Sequence, residues 1–443
     1  RPLNKTKGCL IANFATVPSV SLPIDGSRLI IHLSVQWMPR IMKRLTHTSM
    51  SLSGGCSRRR ALFAGCSAHA VHDGLTDVIY VLLPVWQSQF AMSYAWLGLL
   101  RGAYSGMMAV SQLSVGILAR RRGRACLLVT GTALVGIAWL LAGMAGGLTT
   151  LLLALLLGGL GASVQHPLAS SLITDSYSAG GGVKEALAQY NFAGDIGKTL
   201  LPGLVGALLA VINWRESAVL LGLSGLATAG LLWWLIPSRP AHSDMPPLTT
   251  SPVTDKASGR WLYVLTVIGT LDSAARMGFL TFLPFLLKDK GAGITDTGLG
   301  LTLLFVGGAF GKLLTGYVGT HIGMVKTVWL TEFTTAVLIV IAVYLPFLAL
   351  MMMLPLLGIM LNGTSSVLYG SVPDLAGARK IEQAFAIFYT GTTGGGTLAP
   401  ILFGCIGDIS GIPHAIMLLA ATLLLTLPLA WHIRSSKEIV SNS

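Results

Sequence analysis

Twelve apolar runs, each roughly 20 residues long, follow one another along this chain. A helix of that length crosses a hydrocarbon core about 30 Å thick. The runs are continuous rather than alternating, which favours helices over barrel strands. Only 11% of the residues are charged, against about 25% in soluble domains. The sequence therefore predicts an all-α membrane protein with twelve transmembrane helices. The spans run approximately over 61–83, 94–118, 125–145, 148–172, 185–210, 216–236, 261–287, 297–320, 326–346, 349–371, 382–407 and 413–433.

An internal repeat indicates that the spans form two pseudo-symmetric six-helix halves. Residues 116–123 after the second span match residues 316–323 after the eighth, and Pro202 matches Pro400, at offsets of 198 to 200. Agreement at one offset is typical of a duplicated unit. The expected parts are a poorly structured basic segment, an N-terminal half, a polar and proline-rich cytoplasmic linker, a C-terminal half and a cytoplasmic tail. They cover 1–60, 61–236, 237–260, 261–433 and 434–443.

The first 50 residues differ from the rest of the chain. They contain seven Lys/Arg and one acidic residue, Asp25. This composition loosely resembles a transit peptide, which is poor in acidic residues. The sequence opens on Arg1, and Met42 and Met50 are alternative starting points. We expect this stretch to be upstream sequence rather than part of the folded protein.

The charge distribution predicts the orientation in the membrane. A net charge of +13 in a soluble protein would suggest nucleic acid. Here 18 Lys/Arg flank the spans on one side, and three lie on the other side. Because basic loops stay in the cytoplasm, both termini are predicted to be cytoplasmic, in a bacterial inner membrane, with no nucleic-acid partner. The five cysteines form no CxxC or CxxH pattern, so neither a metal site nor a cofactor is expected.

Ionisable residues inside the first span are candidates for proton coupling. His69, Asp73 and Asp77 are spaced four residues apart and share one side of a helix. Buried ionisable groups are costly in a bilayer and normally face a cavity or a partner. A carboxylate beside imidazoles can load and release a proton. His166, at the cytoplasmic end of the fourth span, is expected to approach His69. A static polar network between helices is the alternative interpretation.

Other charged residues within spans are candidates for substrate contact. They are Arg101, Asp195, Lys198, Asp272 and Arg276. Arg101 is predicted at the same depth as Asp77, so the two are expected to pair. Lys198 and Arg276 would suit an anionic substrate. Each could instead be neutralised by the carboxylate three or four residues before it on its own helix.

The loop after the second span resembles the signature G-x-L-a-D-r-x-G-r of the major facilitator superfamily. Gly116, Arg121, Gly123 and Arg124 match it, but Arg120 stands at the acidic position. In that family the acidic residue helps to latch the two halves together. The departure leaves the latch open to question, and Glu382 is a hypothetical substitute. The resemblance covers residues from about 60 to 435 and implies two six-helix halves related by an axis along the membrane normal.

Part of the chain also resembles the fosmidomycin resistance group of that superfamily. The residues that carry this resemblance are His69, Asp73, Pro84, Gln87, His166, Pro167, Gly194, Gly197 and Pro202. The resemblance implies proton-driven export of a small compound, such as a phosphonate antibiotic.

The predicted function is therefore secondary active transport by alternating access. Proton-coupled antiport that exports a small, anionic or phosphonate-like organic compound is the first expectation. A proton symporter or a facilitator that imports organic acids is the alternative. The sequence has no P-loop, HExxH or GxSxG pattern, so neither ATP-driven transport nor an enzyme is expected. The expected partners are the substrate, protons and the lipid bilayer, and the chain is expected to be a monomer.

Overall fold

The computed structural model describes residues 21–24, 27–30, 52–178, 181–236, 259–376 and 381–441. The chain forms two compact units, Arg1–Gly55 and Cys56–Ser443. In the first, strands β1 (Ser21–Ile24) and β2 (Ser27–Ile30) pair as an antiparallel hairpin. The rest of the predicted N-terminal segment up to residue 51, and the predicted linker from 237 to 258, lie outside the described residues.

Fourteen helices make up the other described elements. They are α1 (Leu52–Phe90), α2 (Tyr94–Arg122), α3 (Arg124–Gly143), α4 (Leu148–Ala162), α5 (Gln165–Ser178), α6 (Val183–Leu208), α7 (Trp214–Leu235), α8 (Gly259–Asp289), α9 (Ile294–Ile322), α10 (Met324–Tyr344), α11 (Phe347–Leu375), α12 (Ile381–Ser410), α13 (Ile412–Leu424) and α14 (Thr426–Ser441). Helices α4 and α5 together form the fourth span, and α13 with α14 forms the twelfth. The helices therefore give the twelve spans that the sequence predicted.

Seven of these spans are long and apolar enough to cross a membrane by length and composition. They are α3, α4 with α5, α7, α9, α10, α11 and α13 with α14. Four of the remaining five spans, α1, α2, α6 and α8, carry Asp73, Arg101, Lys198 and Arg276. Such residues require shelter from lipid, which neighbouring helices must supply. The predicted proton-coupling and substrate-binding residues other than His166 thus lie on the helices that are least suited to face lipid.

Large side chains of the buried core lie in the C-terminal parts of the equivalent helices α1 and α8. Tyr80 and Trp86 on α1 and Phe279, Phe282 and Phe285 on α8 have at most 1% of their surface exposed. This packing explains why α1 does not end near Pro84, as the sequence analysis expected, but continues to Phe90. A proline removes one backbone hydrogen bond, and close packing of the surrounding helix can compensate for that loss.

The structure repeats its turns as well as its helices. Gly123 joins α2 to α3 with φ of 84°, and Gly323 joins α9 to α10 with φ of 81°. Residues with a side chain rarely adopt this backbone conformation, whereas glycine adopts it readily. The two glycines lie 200 residues apart, the offset of the predicted repeat. The two-half architecture predicted from the sequence is therefore confirmed.

The two halves meet through α2 and α12. We call the side of the molecule that carries the α2–α3 turn the basic face, and the side where α1 ends the opposite face. A Cβ atom added at Gly98 would lie 2.0 Å from the Pro400 carbonyl oxygen, whereas one at Gly106 would lie 3.1 Å from Thr397 Cγ2. One added at Gly116 meets nothing within 4 Å. The two helices therefore touch at the opposite face and diverge towards the basic face.

The symmetry-related pair, α6 and α9, also meets near the opposite face. Near the opposite face, a Cβ atom on Gly206 would lie 3.0 Å from the Cα atom of Gly298. Further along, the Thr302 hydroxyl donates to the Thr199 carbonyl at 2.7 Å. The halves of the described chain thus enclose a cleft that opens towards the basic face.

A charged cap closes the opposite face. The carboxylate of Asp408, near the end of α12, accepts hydrogen bonds from the backbone N–H groups of Tyr94 at 2.6 Å and Ala95 at 3.0 Å. These N–H groups belong to the first turn of α2, where the helix itself offers no acceptor and the helix dipole favours negative charge. Asp408 therefore links the C-terminal half to the N-terminal half.

We predict that Gly98→Ala opens the opposite face. The new methyl group would have to move about 1 Å to reach the 3.0 Å that real Cβ atoms require. The measurement is the distance between spin labels at Val211 and Ile409, which are exposed on that face in different halves, in a variant without native cysteines. We expect longer distances than in the parent chain.

Gly116→Ala is the matched control, because its Cβ atom meets nothing within 4 Å. An unchanged distance distribution for Gly98→Ala would show that this contact does not hold the halves together.

Candidate functional site

The site is centred on Asp73, halfway along α1. One carboxylate oxygen, Oδ2, lies 3.2 Å from His69 Nε2 and 3.1 Å from Lys198 Nζ of α6. The other, Oδ1, lies 3.8 Å from both His72 Nε2 and His166 Nε2. Asp73 is only 5% exposed. A carboxylate buried to this degree requires positive or donor groups around it, and the structure supplies four.

Glycine residues bring α6 close enough to α1 for these contacts. A Cβ atom on Gly197 would lie 1.8 Å from the Ala70 carbonyl oxygen, so no side chain fits there. A Cβ atom on Gly194 would lie 2.6 Å from His69 Cε1 and 2.7 Å from Asp73 Oδ2. The glycine positions noted in the sequence therefore place Lys198 beside Asp73.

The His69 ring lies between two oxygen acceptors. Its Nδ1 is 2.8 Å from the Tyr190 carbonyl oxygen, which can only accept a hydrogen bond, so Nδ1 is the donor. Its Nε2 lies 3.2 Å from Asp73 Oδ2. The imidazole is therefore held by the backbone of α6 on one side and faces the buried carboxylate on the other.

His166 connects this pair to solvent. Its side chain is 45% exposed, whereas those of His69 and Asp73 are 5% and 6% exposed. Its ring centroid lies 5.0 Å from that of His69 and 5.1 Å from that of His72, edge to face in both cases. The predicted approach of His166 to His69 is thus present. His166 is the most exposed of the groups around Asp73.

The predicted pair between Asp77 and Arg101 is also present. Arg101 Nη2 lies 3.8 Å from Asp77 Oδ1, and the two side chains are 5% and 10% exposed. The guanidinium also packs over the Tyr80 ring, 4.7 Å from its centroid, and donates to Ser105 Oγ at 2.9 Å. Arg101 is therefore enclosed by α1 and α2. Its predicted contact with substrate would require another conformation.

Of the two intrahelical ion pairs considered in the sequence, Asp195 with Lys198 and Asp272 with Arg276, only the second is present. Asp195, three residues before Lys198, instead forms an ion pair with Lys312 of α9. This bond joins the two halves in the middle of the cleft, where α6 and α9 have already separated. Arg276 does pair within its own helix, with Asp272 at 3.3 Å. Each of these carboxylates thus has a cation in the described structure.

The structure describes most of the side chains of the predicted conformational loop at the basic face. Arg120 and Arg121 are exposed at the end of α2. Arg124 begins α3, where its guanidinium contacts Asp175 of α5 at 2.5 Å and donates to Ser171 at 2.5 Å. Gly116 lies in open space. The side chain of Glu382 is outside the described part, so its pairing with Arg120 remains a prediction.

His69, Asp73 and His166 are residue types that can hold a metal ion, and their ligand atoms lie within 4.8 Å of one another. Lys198 Nζ lies 3.1 Å from Asp73 Oδ2, so an ammonium group already supplies positive charge at the carboxylate.

Sequence reasoning missed three members of the arrangement. His72 precedes Asp73 directly and lies beside it on the helix, so its spacing was a usable signal. Lys312 has its partner on a helix more than 100 residues away, and no local pattern reveals that pairing. Asp408 caps a helix 314 residues away in the sequence, and a carboxylate near a helix end does not show which helix it caps.

Enclosed cavities contribute little to the site. One of about 10 Å³ lies beside His72 and Gln165, and one of about 190 Å³ lies between Pro84 and Lys288 at the opposite face. The exposed surface of His166, Lys198 and Lys312 instead opens into the cleft between the halves. The cleft is thus an open recess rather than a closed chamber.

The sequence matches the Major Facilitator Superfamily over residues 65–270 and 265–442. It is 24% identical over 357 residues to the fosmidomycin resistance protein of Escherichia coli K12, covering 78% of this chain and 86% of that protein. It is 24% identical over 364 residues to a probable sulfoacetate transporter of Cupriavidus necator, covering 75% and 83%. A bacterial homologue of the human lysosomal transporter Spinster, in an inward-facing conformation, shares the fold with a TM-score of 0.71 at 17% identity, covering 86% and 97% of the two chains.

We predict that Gly194→Ala destabilises the protein. The added methyl group would contact His69 and Asp73 and force overpacking that costs about 1–3 kcal/mol. That cost exceeds the gain of about 1 kcal/mol from replacing glycine in a helix. The expected result is a lower midpoint of thermal unfolding.

Gly230→Ala is the matched control. Gly230 is an exposed residue of α7, and nothing lies within 4 Å of an added Cβ atom, so this substitution should leave the midpoint unchanged or raise it. Equal midpoints for the two variants would show that α6 does not pack against the Asp73 cluster.

Proposed function

Because this chain belongs to the major facilitator superfamily, we propose that it moves a small organic compound across a membrane by coupling to protons. It is a multi-pass membrane transporter rather than an enzyme. The proposal adds the coupling ion and the chemistry of the substrate. We propose further that it acts as a monomer in a bacterial inner membrane, with the basic face in the cytoplasm.

The His69–Asp73 pair carries the proposal. In this proposal the pair takes up and releases a proton inside the bundle, and the exposed His166 beside it provides the route to solvent. Its oxygen Oδ2 also holds Lys198 of α6. Protonation therefore changes the contact between α1 and α6, two helices that line the cleft. A change of that kind can alter the relative stability of conformations open to either side.

The open cleft supports alternating access. In this conformation the opposite face is closed by Gly98, Asp408 and their partners, and the basic face is open. Transport requires the reverse arrangement as well, in which α2 and α12 separate at the opposite face. The predicted latch between Arg120 and Glu382 would then hold the basic face closed. Charge reversal at both positions should restore transport that either single reversal removes.

Two directions of coupling follow from the relatives. Similarity to a fosmidomycin resistance protein supports proton-coupled antiport that exports a toxic compound. Similarity to a probable sulfoacetate transporter supports the second candidate, proton symport of an organic acid. Both directions use the same proton site and the same cleft. Fosmidomycin and sulfoacetate, the compounds in these names, both carry acidic groups, which agrees with the predicted preference for an anion.

We predict that Asp73→Asn abolishes proton-coupled accumulation. The amide cannot exchange a proton, although it keeps nearly the same shape. The measurement is transport of radiolabelled fosmidomycin and sulfoacetate into or out of proteoliposomes under an imposed pH gradient. We expect a gradient-dependent flux in the parent chain and a loss of at least about tenfold in the variant.

Asp289→Asn, at the end of α8 near the opposite face, is the control and should transport normally. A normal gradient-dependent flux in Asp73→Asn would show that protons are coupled elsewhere.

A further inference from the structure

The ion pairs around the cleft are asymmetric in exposure. Lys198 and Lys312 keep 31% and 35% of their side-chain surface accessible, whereas their partners Asp73 and Asp195 keep 6% and 15%. His166, beside Asp73, keeps 45%. The carboxylates therefore lie deeper in the protein, and the nitrogen donors lie closer to the solvent in the cleft. The wall of the cleft presents positive charge and hydrogen-bond donors, even though the charges balance in total.

The two lysines face the cleft and not the lipid. On α6 the exposed apolar residues Phe192, Ile196, Leu200 and Leu204 form one stripe, and at about 100° per residue Lys198 lies on the other side of the helix. On α9 the exposed stripe contains Phe310, Leu313, Leu314 and Tyr317, and Lys312 again lies on the far side. Each lysine also ends on a carboxylate inside the bundle. Their accessible surface therefore belongs to the recess between the halves.

The three donors form one group. Lys198 and His166 both contact the Asp73 carboxylate, and Lys312 contacts Asp195, which lies three residues before Lys198 on α6. They come from α5, α6 and α9, so both halves contribute. Carboxylate, sulfonate and phosphonate groups have several acceptor oxygens, and charge-assisted hydrogen bonds from such donors are strong. An anion in the recess would contact both halves at once.

We propose that Lys198, Lys312 and His166 bind the acidic group of the substrate, and that this anion binds together with a proton. This inference rests on the proposed function, because the proton is the one held at Asp73. It selects the second candidate, in which anion and proton move in the same direction.

The sign of the coupling follows from electrostatics. Asp73 and Asp195 act as counter-ions of the two lysines while the recess is empty. An anion that binds these two lysines weakens their ion pairs with Asp73 and Asp195. Because the carboxylates then have less positive charge around them, they bind a proton more tightly. Titratable and charged groups from each element packed against Asp73 experience the same added charge. They are His69, His72 and Asp77 of α1, Tyr104 of α2, His166 of α5, Tyr190 and Lys198 of α6, and Lys312 of α9.

Linkage makes this effect reciprocal. If bound anion increases the affinity for a proton, a bound proton increases the affinity for the anion by the same factor. Up to about one proton should be taken up per anion, and the anion affinity should then rise up to about tenfold per unit fall in pH. A cationic substrate would show the reverse, because it would compete with the proton for Asp73.

Binding to the purified full-length chain in detergent tests this directly. The probes are sulfoacetate and methylphosphonate, with choline as a cation of similar size. Calorimetry gives the affinity at several pH values, and a pH-indicator dye in weak buffer reports proton uptake or release. We expect both anions to bind with proton uptake and with higher affinity at lower pH. Proton release on anion binding, or failure of both anions to bind, would overturn the proposal.

Matched variants locate the site. Lys312→Gln combined with Asp195→Asn removes a whole ion pair, so no unpaired charge is left buried, and it should weaken anion binding at least about tenfold. Lys326→Gln, an exposed residue at the basic face, should bind as the parent does. Unchanged affinity in the double variant, with its unfolding midpoint preserved, would contradict the site.

A third variant separates this proposal from the proposed function. Asp73→Asn should still bind anion but take up less proton. If its proton uptake equals that of the parent, the coupling assigned to Asp73 fails. If the parent chain binds anions with proton uptake yet shows no gradient-driven flux in proteoliposomes, the proposed transport fails while the binding site stands.

Discussion

An ionised side chain inside a bilayer must have a partner, and this requirement organises the molecule. The structure places four such carboxylates beside four cations, in the pairs Asp73–Lys198, Asp77–Arg101, Asp195–Lys312 and Asp272–Arg276. Three of the pairs join different helices, namely α1 to α6, α1 to α2 and α6 to α9. Pairing therefore determines which helices are neighbours as well as lowering the cost of burial. In two of the pairs, Asp73–Lys198 and Asp195–Lys312, the lysine is the more exposed partner, so the constraint on folding also shapes the proposed binding surface.

Close packing of backbones is the second requirement. Helices in lipid associate through small residues because the hydrophobic effect does not drive them together. At Gly197 on α6 and Gly98 on α2, the backbone of the neighbouring helix occupies the space of a side chain. The first contact positions Lys198 at the proton site, and the second brings the halves together at the opposite face. A methyl group at either place would disturb the geometry of a site several residues away.

Much of the fold was predictable from the sequence, because the apolar runs and the repeat are local or periodic signals. The pairing of Asp77 with Arg101 was predictable too, since both lie at the same depth on adjacent spans. The partner of Lys198 was not. Spacing on α6 offers Asp195, and only the packing of α6 against α1 reveals that Asp73 is closer. The continuation of α1 through Pro84 depends likewise on packing that a single sequence does not contain.

The cap formed by Asp408 has a consequence for the speed of the conformational cycle. Asp408 is exposed, and Tyr94 and Ala95, whose N–H groups donate to it, are half-buried. When the halves separate at that face, water molecules can take over these hydrogen bonds at little net cost. This part of the closure is consequently held by bonds that solvent replaces one for one. A barrier built in this way favours frequent interconversion over long retention of either state.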